Sequence, residues 1–380
     1  MLFSFSYTDE QFLLRKAIAA FCQKHILPVV EECDEQERFP LEILPIMGRE
    51  GFLGAGVPEE YEGSGGGMIE QCIITEELSK ACSGIAVSVA ADAFIIPAVI
   101  WMFGTEEQKW NYAVPVIKGI KVASIAITEP NAGSDVRSIQ ATARLVNDEY
   151  VLDGQKIFIT NGNICDFVIM LAYTDRSKGI AGTNLFIVDR DTPGFTARKL
   201  KNKDAVRSSE TGELVFDNCR IPKSQLVGAG EGFKQVMKAF NGERVITAAM
   251  SLGTAQAAYE AALNYAKQRH QFGQPIIDFQ AIQFRLAKII INIEAARLLI
   301  YQAAAKRDAG EPYEVEASMA KAFTCEMAVR AACEALHCFG GYGIMKEYPA
   351  SRYLRDTLGG PSYAGTTEIQ YRIIANRLFR

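Results

Sequence analysis

The chain has 380 residues, 49% of them hydrophobic, and 40 Lys and Arg against 45 Asp and Glu leave a formal net charge of −5. That is enough apolar material for a large core and too much chain for one small domain, so two or three structural units are expected. The mildly acidic balance excludes a global attraction to nucleic acid or to an anionic membrane surface. In chain order, the first third reads helical. Thr8 and Gln11 have the spacing of a capping box, and Phe12, Leu13, Ala17, Ala20 and Phe21 follow at helical intervals. Phe39-Pro40 and Gly51 interrupt this region, and a glycine-rich loop at 63–67 precedes a second helical stretch at 69–82. The nearly apolar run at 85–101 contains Asp92 and Pro97 and is short for a membrane span. It is read as a buried core segment, and no membrane insertion is expected.

The middle third changes to short strands. Tyr150-Val151-Leu152, then Asp153-Gly154, then residues 155–160 read as a hairpin with an Asp-Gly turn. Further strands are expected at 167–172, 184–188 and 213–216, the last ended by Asn218 and Pro222. Such a series suggests a small β-barrel or sandwich. Beyond Gly232 the pattern is helical again, at 233–269, 279–307 and 317–339, and these long Ala- and Leu-rich segments suggest a bundle.

Nine scattered cysteines without a Cys-x-x-Cys pair, and three histidines at 25, 270 and 337, assemble no zinc pattern, so no metal is expected. Reduced thiols fit a cytoplasmic protein. Residues 1–8 lack the basic and apolar segments of a secretory signal. No Gly-x-Ser-x-Gly elbow occurs. Gly228-Ala229-Gly230-Glu231-Gly232 lacks the strand–helix–strand context of a dinucleotide loop and reads as an interdomain turn. Ile127-Thr128-Glu129-Pro130-Asn131-Ala132-Gly133-Ser134-Asp135 is a turn rich in small and hydroxyl residues. It suits close approach to a polar ligand, although a plain surface loop has the same composition.

That segment resembles a signature of the acyl-CoA dehydrogenase family. So do Gly154-Gln155-Lys156-Ile157-Phe158-Ile159-Thr160-Asn161-Gly162, Arg269-His270-Gln271-Phe272-Gly273, Phe339-Gly340-Gly341-Tyr342-Gly343 and Gly365-Thr366-Thr367-Glu368-Ile369-Gln370. The five occur in the family's order and span essentially the whole chain. The resemblance implies a mainly α fold, with a helical domain at 1–122, a β-barrel at 123–228 and a four-helix bundle at 229–380. It also implies bound FAD. Ile125, Ile127, Thr128 and Ser134 would meet the isoalloxazine region, with Phe158, Ile159 and Thr160 packing the ring, Phe158 standing where many members carry Trp. Arg269, Phe272, Gln280, His337, Gly340 and Gly341 would hold the adenine half and pyrophosphate, and Thr366 and Glu368 complete the cofactor set. Because family members share this site between subunits, a homotetramer is implied. Electron-transferring flavoprotein is the implied electron acceptor. Ser134, Asn241, Arg244, Tyr363, Ala364 and Gly365 are the expected contacts to the acyl-CoA substrate.

The family reaction takes a proton from the α-carbon and a hydride from the β-carbon, so a desolvated carboxylate must sit beside the thioester. Many members place Glu directly before the Gly-Thr of the last motif; here Ala364 stands there, leaving only a backbone N–H to face the thioester oxygen. A second arrangement, resembling isovaleryl-CoA and long-chain members, puts the base on a bundle helix within a Glu-Arg pair. Phe240-Asn241-Gly242-Glu243-Arg244 matches it and makes Glu243 the first choice, although the local pattern alone reads as a Glu at a helix start.

Asp92 is the second candidate. It lies among apolar residues that line the acyl end of the pocket in the family; an unpaired acid buried there should have a raised pKa, whereas the plain alternative is a helix cap or a turn ahead of Pro97. Removing a γ-proton from a cyclic unsaturated thioester such as cyclohex-1-ene-1-carboxyl-CoA would make the reaction a 1,4-elimination. Otherwise a short, branched or cyclic acyl group is expected. Two competing readings keep the fold: an acyl-CoA oxidase or flavin monooxygenase, and a non-catalytic CoA-ester binding protein.

Overall fold

The computed structural model describes residues 6–228 and 230–379. Residues 1–5, Ala229 of the 228–232 turn and Arg380 lie outside the described residues, so the expectations there end at the first described residue. Thr8 Oγ1 accepts from the Gln11 N–H at 3.2 Å and Gln11 Oε1 accepts from the Thr8 N–H at 3.1 Å, the reciprocal box that opens α1, Asp9–Phe21. The N-terminal unit continues through α2 (Val30–Gln36), α3 (Leu44–Arg49), α4 (Met68–Ala81), α5 (Ser83–Ala90), α6 (Ile96–Phe103), α7 (Glu106–Gln108) and α8 (Val114–Ile117). Helices α5 and α6 join through a wider turn at Ala91–Ile95. The most apolar window of Ser83–Phe103 is 78% buried inside the protein, as expected of a core segment.

Eight strands form one sheet: β1 (Ala123–Ala126), β2 (Thr142–Val146), β3 (Glu149–Thr160), β4 (Phe167–Tyr173), β5 (Thr183–Asp189), β6 (Phe195–Lys199), β7 (Thr211–Pro222) and β8 (Leu226–Val227). The order is β6-β7-β3-β2-β4-β5-β8, with β1 beside β4 and parallel to it. Every residue of β4 is buried, which fits a strand covered on both faces.

Two expectations are corrected here. Asp153-Gly154 is no hairpin turn; β3 runs straight through it. The turn is Asn147-Asp148, between Val146 and Glu149, with Asn147 at φ 57°. Gly154 instead sits at a bulge against β7, where a Cβ would come within 2.7 Å of the Ala141 Cβ. Nor does Asn218 end β7. It adopts φ 52° in the same bulge and donates its N–H to Asp153 Oδ1 at 2.9 Å, while the strand continues to Pro222.

The C-terminal unit holds α9 (Gly232–Gln268), α10 (Gln280–Asp308), α11 (Glu314–Phe339), α12 (Ala350–Thr357) and α13 (Thr367–Leu378). Helix α9 packs on α11, α4 and α10, and also against α5 and α6. Its buried face is built from small residues, including Ala248, Ala249 and Ala255. Gly253 allows the closest approach, since a Cβ there would lie 2.2 Å from the Glu76 carbonyl of α4. The central helix is thereby drawn against the N-terminal unit, with residues 240–244 near the junction. The loop at 200–210 ties the sheet to both helical units: Asp356 accepts from the Val206 N–H at 2.8 Å, and Arg207 Nε donates to the Asp34 carbonyl at 2.9 Å.

Candidate active site

The first wall of the site is an edge of the sheet. Strand β1 delivers half-buried Ile125 and runs into the loop of Ile127 and Thr128. That loop is pinned to β3 three times. The Ile157 N–H donates to the Thr128 carbonyl at 3.0 Å, and Lys156 Nζ donates to the Ile127 carbonyl and to Glu129 Oε1, each at 2.9 Å. Glu129 also accepts from the N–H groups of Gln140 and Ala141. Burial lowers the Lys156 pKa to about 8, the Glu129 charge opposing that shift. Lys156 and Glu129 stand inside the sequence motifs without an expected role; a lysine between alternating apolar residues of a strand is the available signal.

Just past Lys156, β3 slips in register against β7 before Ile159. Phe158, at φ 59°, is turned outward and 69% exposed, whereas Ile159 is buried. Thr160 is half-buried, and its carbonyl accepts from Ser124 Oγ at 2.7 Å. Ser134 is exposed in the adjoining loop, and the space a Cβ on Gly133 would enter is empty. An exposed aromatic ring beside a close-pinned backbone loop offers a shelf for a planar polar group.

A second cluster gathers at the end of the bundle. Arg269, His337, Gly340 and Gly341 share an open groove of about 630 Å³, floored by Tyr265 and Phe339, whose rings stack at 4.4 Å. Cβ atoms on Gly340 and Gly341 would meet nothing within 4 Å. Phe272 is 94% exposed on the turn of a two-residue hairpin, and Gln280 opens α10 exposed. Arginine and bare glycine backbone suit a pyrophosphate, and the aromatic floor suits a base.

The third cluster faces Glu243. Arg244 is almost wholly buried and donates to Asn241 Oδ1. Glu243 is partly buried, and its Oε2 is enclosed with no hydrogen-bond partner. Burial raises its pKa to about 7, with the Arg244 and Lys321 charges pulling the other way. Lys321, on α11, is completely buried and donates from Nζ to the Gly365 carbonyl at 2.6 Å. Ala364 and Gly365 lie in left-handed backbone, at φ 55° and 80°. Tyr363 packs so tightly on the preceding turn that a Cβ on Gly359 would meet its ring at 2.6 Å. Thr366 Oγ1 is engaged in capping α13, accepting from Ile369 N–H at 3.4 Å, and exposed Glu368 sits in that helix's first turn. The sequence pattern does not single out Lys321; a lysine in the Ala-rich stretch of α11 is its only trace there.

Asp92 sits in the wider turn between α5 and α6, almost completely buried. Its Oδ1 accepts from the Ala123 N–H at 2.6 Å, anchoring the start of β1, while Oδ2 is enclosed and unpartnered. Burial pushes its pKa well up, the hydrogen bond opposing this. Asp92 caps neither helix: it lies within the helical turn ahead of Pro97, and its hydrogen bond goes to the first residue of β1 instead.

Three domain descriptions of one family match in succession: acyl-CoA dehydrogenase N-terminal domain at 8–120, middle domain at 124–219 and C-terminal domain at 230–379. The chain belongs to the acyl-CoA dehydrogenase family. It is 40% identical over 377 residues to a short-chain specific acyl-CoA dehydrogenase of Clostridium acetobutylicum, covering 99% of this chain and 100% of that one. Butyryl-CoA dehydrogenase of Megasphaera elsdenii has the same fold, with a TM-score of 0.97 at 40% identity and full coverage of both chains. A structure described as the electron transferring flavoprotein of Acidaminococcus fermentans gives the same TM-score, 0.97, at 40% identity and full coverage.

The protein is thus an FAD-dependent oxidoreductase acting on the CH–CH group of an acyl-CoA thioester. Its residues fit that cofactor: the Phe158 shelf is open, and Gly340 and Gly341 leave a cradle that any larger residue would begin to fill.

Proposed function

We propose that the enzyme desaturates a short, branched or cyclic acyl-CoA, with Glu243 taking the α-proton. One observation carries this reading: Glu243 Oε2 is enclosed, without a hydrogen-bond partner, on the helix that faces the Ala364 turn through Lys321. A carboxylate short of water and hydrogen bonds is a stronger base than one in solution, and a pKa near 7 suits a base working at neutral pH. Bound FAD supplies the two-electron acceptor for the hydride that leaves the β-carbon. The chain's own groups do the rest. The Ala364 N–H is the donor for charge developing on the thioester oxygen, and Arg244, fixed by Asn241, borders the base. Ile125, Ile127, Thr128, Ser134, Phe158, Ile159 and Thr160 would bear on the flavin end of FAD. Arg269, Phe272, Gln280, His337, Gly340 and Gly341 would bear on its adenine half. Thr366 and Glu368 would serve beside them.

Anaerobic flavin bleaching by a panel of linear, branched and cyclic CoA esters tests the base. Glu243→Gln should lower the reduction rate at least about a thousandfold. Asp92→Asn should leave it within about tenfold. The reverse result discards Glu243.

Asp92 supports a second reading through its own enclosed, unpartnered Oδ2. On a cyclic unsaturated substrate such as cyclohex-1-ene-1-carboxyl-CoA it would take a γ-proton, and the product would be the conjugated diene. Mass analysis of the product separates the two eliminations.

The electron acceptor proposed is electron-transferring flavoprotein, in line with the Acidaminococcus similarity. A homotetramer in the cytoplasm is proposed as the working form. Phe284, Ile291 and Leu298 support an oligomer: spaced by seven on α10, they are 57%, 67% and 53% exposed in the single chain.

A further inference from the structure

Lys321 is a charge without an obvious reason to be buried. It sits among Ala317, Ser318, Ala320 and Ala322 on α11 with no solvent exposure. An ammonium in such surroundings is costly unless hydrogen bonds and opposite charge compensate it. Burial lowers its pKa, while Cys325 and Glu243 pull it back up and Arg244 opposes them; Glu368 of α13 adds a smaller upward pull.

Its compensation belongs to the active site: it is the hydrogen bond to the Gly365 carbonyl at 2.6 Å. That carbonyl ends a pair of left-handed residues, one of them Ala364, and a residue with a Cβ is strained in this region. Strained backbone persists where its surroundings over-determine it. Here Gln370 Nε2 donates to the Gly365 and Ala364 carbonyls at 2.9 and 3.3 Å from one side, and Lys321 holds the turn from the other. Glu243 lies in the same buried neighbourhood without an ion pair to Lys321; the charges that act on it are Arg244 of its own helix first and Lys321 of α11 second.

We propose that Lys321 is a positioning residue for the dehydrogenation: it locks the turn that aims the Ala364 N–H and adds, from α11, to the positive charge that Arg244 already sets beside Glu243. The inference rests on Glu243 being the base. It ties the two halves of the reaction to one ammonium, so that proton removal and stabilisation of the thioester oxygen are set together.

The test measures anaerobic flavin reduction between pH 5.5 and 9 in the holoenzyme, using whichever CoA ester, from butyryl-CoA to cyclohexanecarboxyl-CoA, bleaches the wild type fastest. Lys321→Met removes both charge and anchor. Lys321→Gln keeps a donor for the Gly365 carbonyl and removes the charge. In both variants the acid limb of the rate profile should move up by roughly one pH unit, the direction expected when a neighbouring cation is lost. The Met variant should also lower the limiting rate of reduction well below that of the Gln variant, because a misaimed Ala364 N–H no longer stabilises charge that develops only in the transition state. An unmoved acid limb in Lys321→Gln overturns the proposal and leaves Glu243 in place; that variant also decides the matter if Lys321→Met fails to fold. A Glu243→Gln variant that still reduces its flavin at the wild-type rate overturns the base reading, and the role of Lys321 falls with it.

Discussion

Lys156 donates to Glu129 at 2.9 Å with both side chains inside the protein, and this pair fastens β3 to the loop of Ile127 and Thr128. The carboxylate also receives the Gln140 and Ala141 N–H groups, so one ion pair organises both ends of the 127–141 segment. Breaking a buried pair from one side leaves a charge without compensation, at a loss of about 3–5 kcal/mol. Lys156→Met should therefore lower Tm sharply and reduce the FAD content of purified protein. Lys156→Met with Glu129→Gln should recover part of the Tm, because no uncompensated charge remains. A single variant as stable as the wild type would show that the pair does not hold the loop.

Two glycines separate fold from ligand. Gly253→Ala forces a Cβ against the Glu76 carbonyl and should push α9 away from α4, costing about 1–3 kcal/mol. Gly341→Ala meets open space and should leave thermal stability of the apoprotein unchanged while weakening FAD retention. Differential scanning calorimetry and flavin absorbance read the two effects. Equal loss of stability in both would remove Gly341 from the proposed cofactor groove.

Features set by near neighbours in the chain are legible in the amino-acid order. The Thr8–Gln11 box is local, since both partners lie within one turn, and the long bundle helices carry enough residues for their period to show. Asp153-Gly154 misleads because the dipeptide favours a two-residue turn, yet the same glycine is wanted where β3 passes Ala141. Long-range packing decides between those uses. Lys321 is hidden for the same reason: helical spacing places it on a face, but which element supplies the carbonyl and carboxylate opposite depends on how α9, α11 and the 363–365 turn come together. Glu243 and Ala364 stand out as a complementary pair only because family resemblance sets one beside the other.

The ionisation of Glu243 makes stability depend on pH. Its pKa rises from 4.5 when unfolded to about 7 in the fold, so between those values the native state holds more protons than the unfolded chain. Stability contributed by this group is therefore greatest at low pH and declines as pH rises through about 7. Asp356, raised by burial to about 6, acts in the same direction over a lower window. Glu243→Gln should flatten the fall in Tm between pH 5 and 8. A slope as steep as that of the wild type would mean that the carboxyl ionises freely in the folded protein.

The exposed stripe of α10 predicts assembly. Phe284, Ile291 and Leu298 recur every seven residues and stay largely uncovered in one chain. Replacing Ile291 with Glu puts a charge in the middle of that stripe, where an interface would have to desolvate it. Light scattering should show a smaller particle for Ile291→Glu, with loss of FAD if the Arg269 groove is completed by another subunit. An unchanged mass would place the interface elsewhere.

Asp92 has an anchoring role whatever its part in chemistry. Its Oδ1 takes the Ala123 N–H at the point where β1 begins, and burial leaves that N–H no water to turn to. Asp92→Asn keeps an oxygen acceptor at this position, so the strand should stay in place. Asp92→Ala leaves a buried donor unpaired and should destabilise the protein by about 1–3 kcal/mol. Because β1 leads directly to Ile125 and Ile127, the Ala variant should also bind FAD more weakly, whereas the Asn variant should not. Comparing the two by thermal denaturation and flavin content separates the anchor from the acid: if Asn and Ala behave alike in both measurements, the hydrogen bond to Ala123 does not hold the strand, and Asp92 is buried for its acidity.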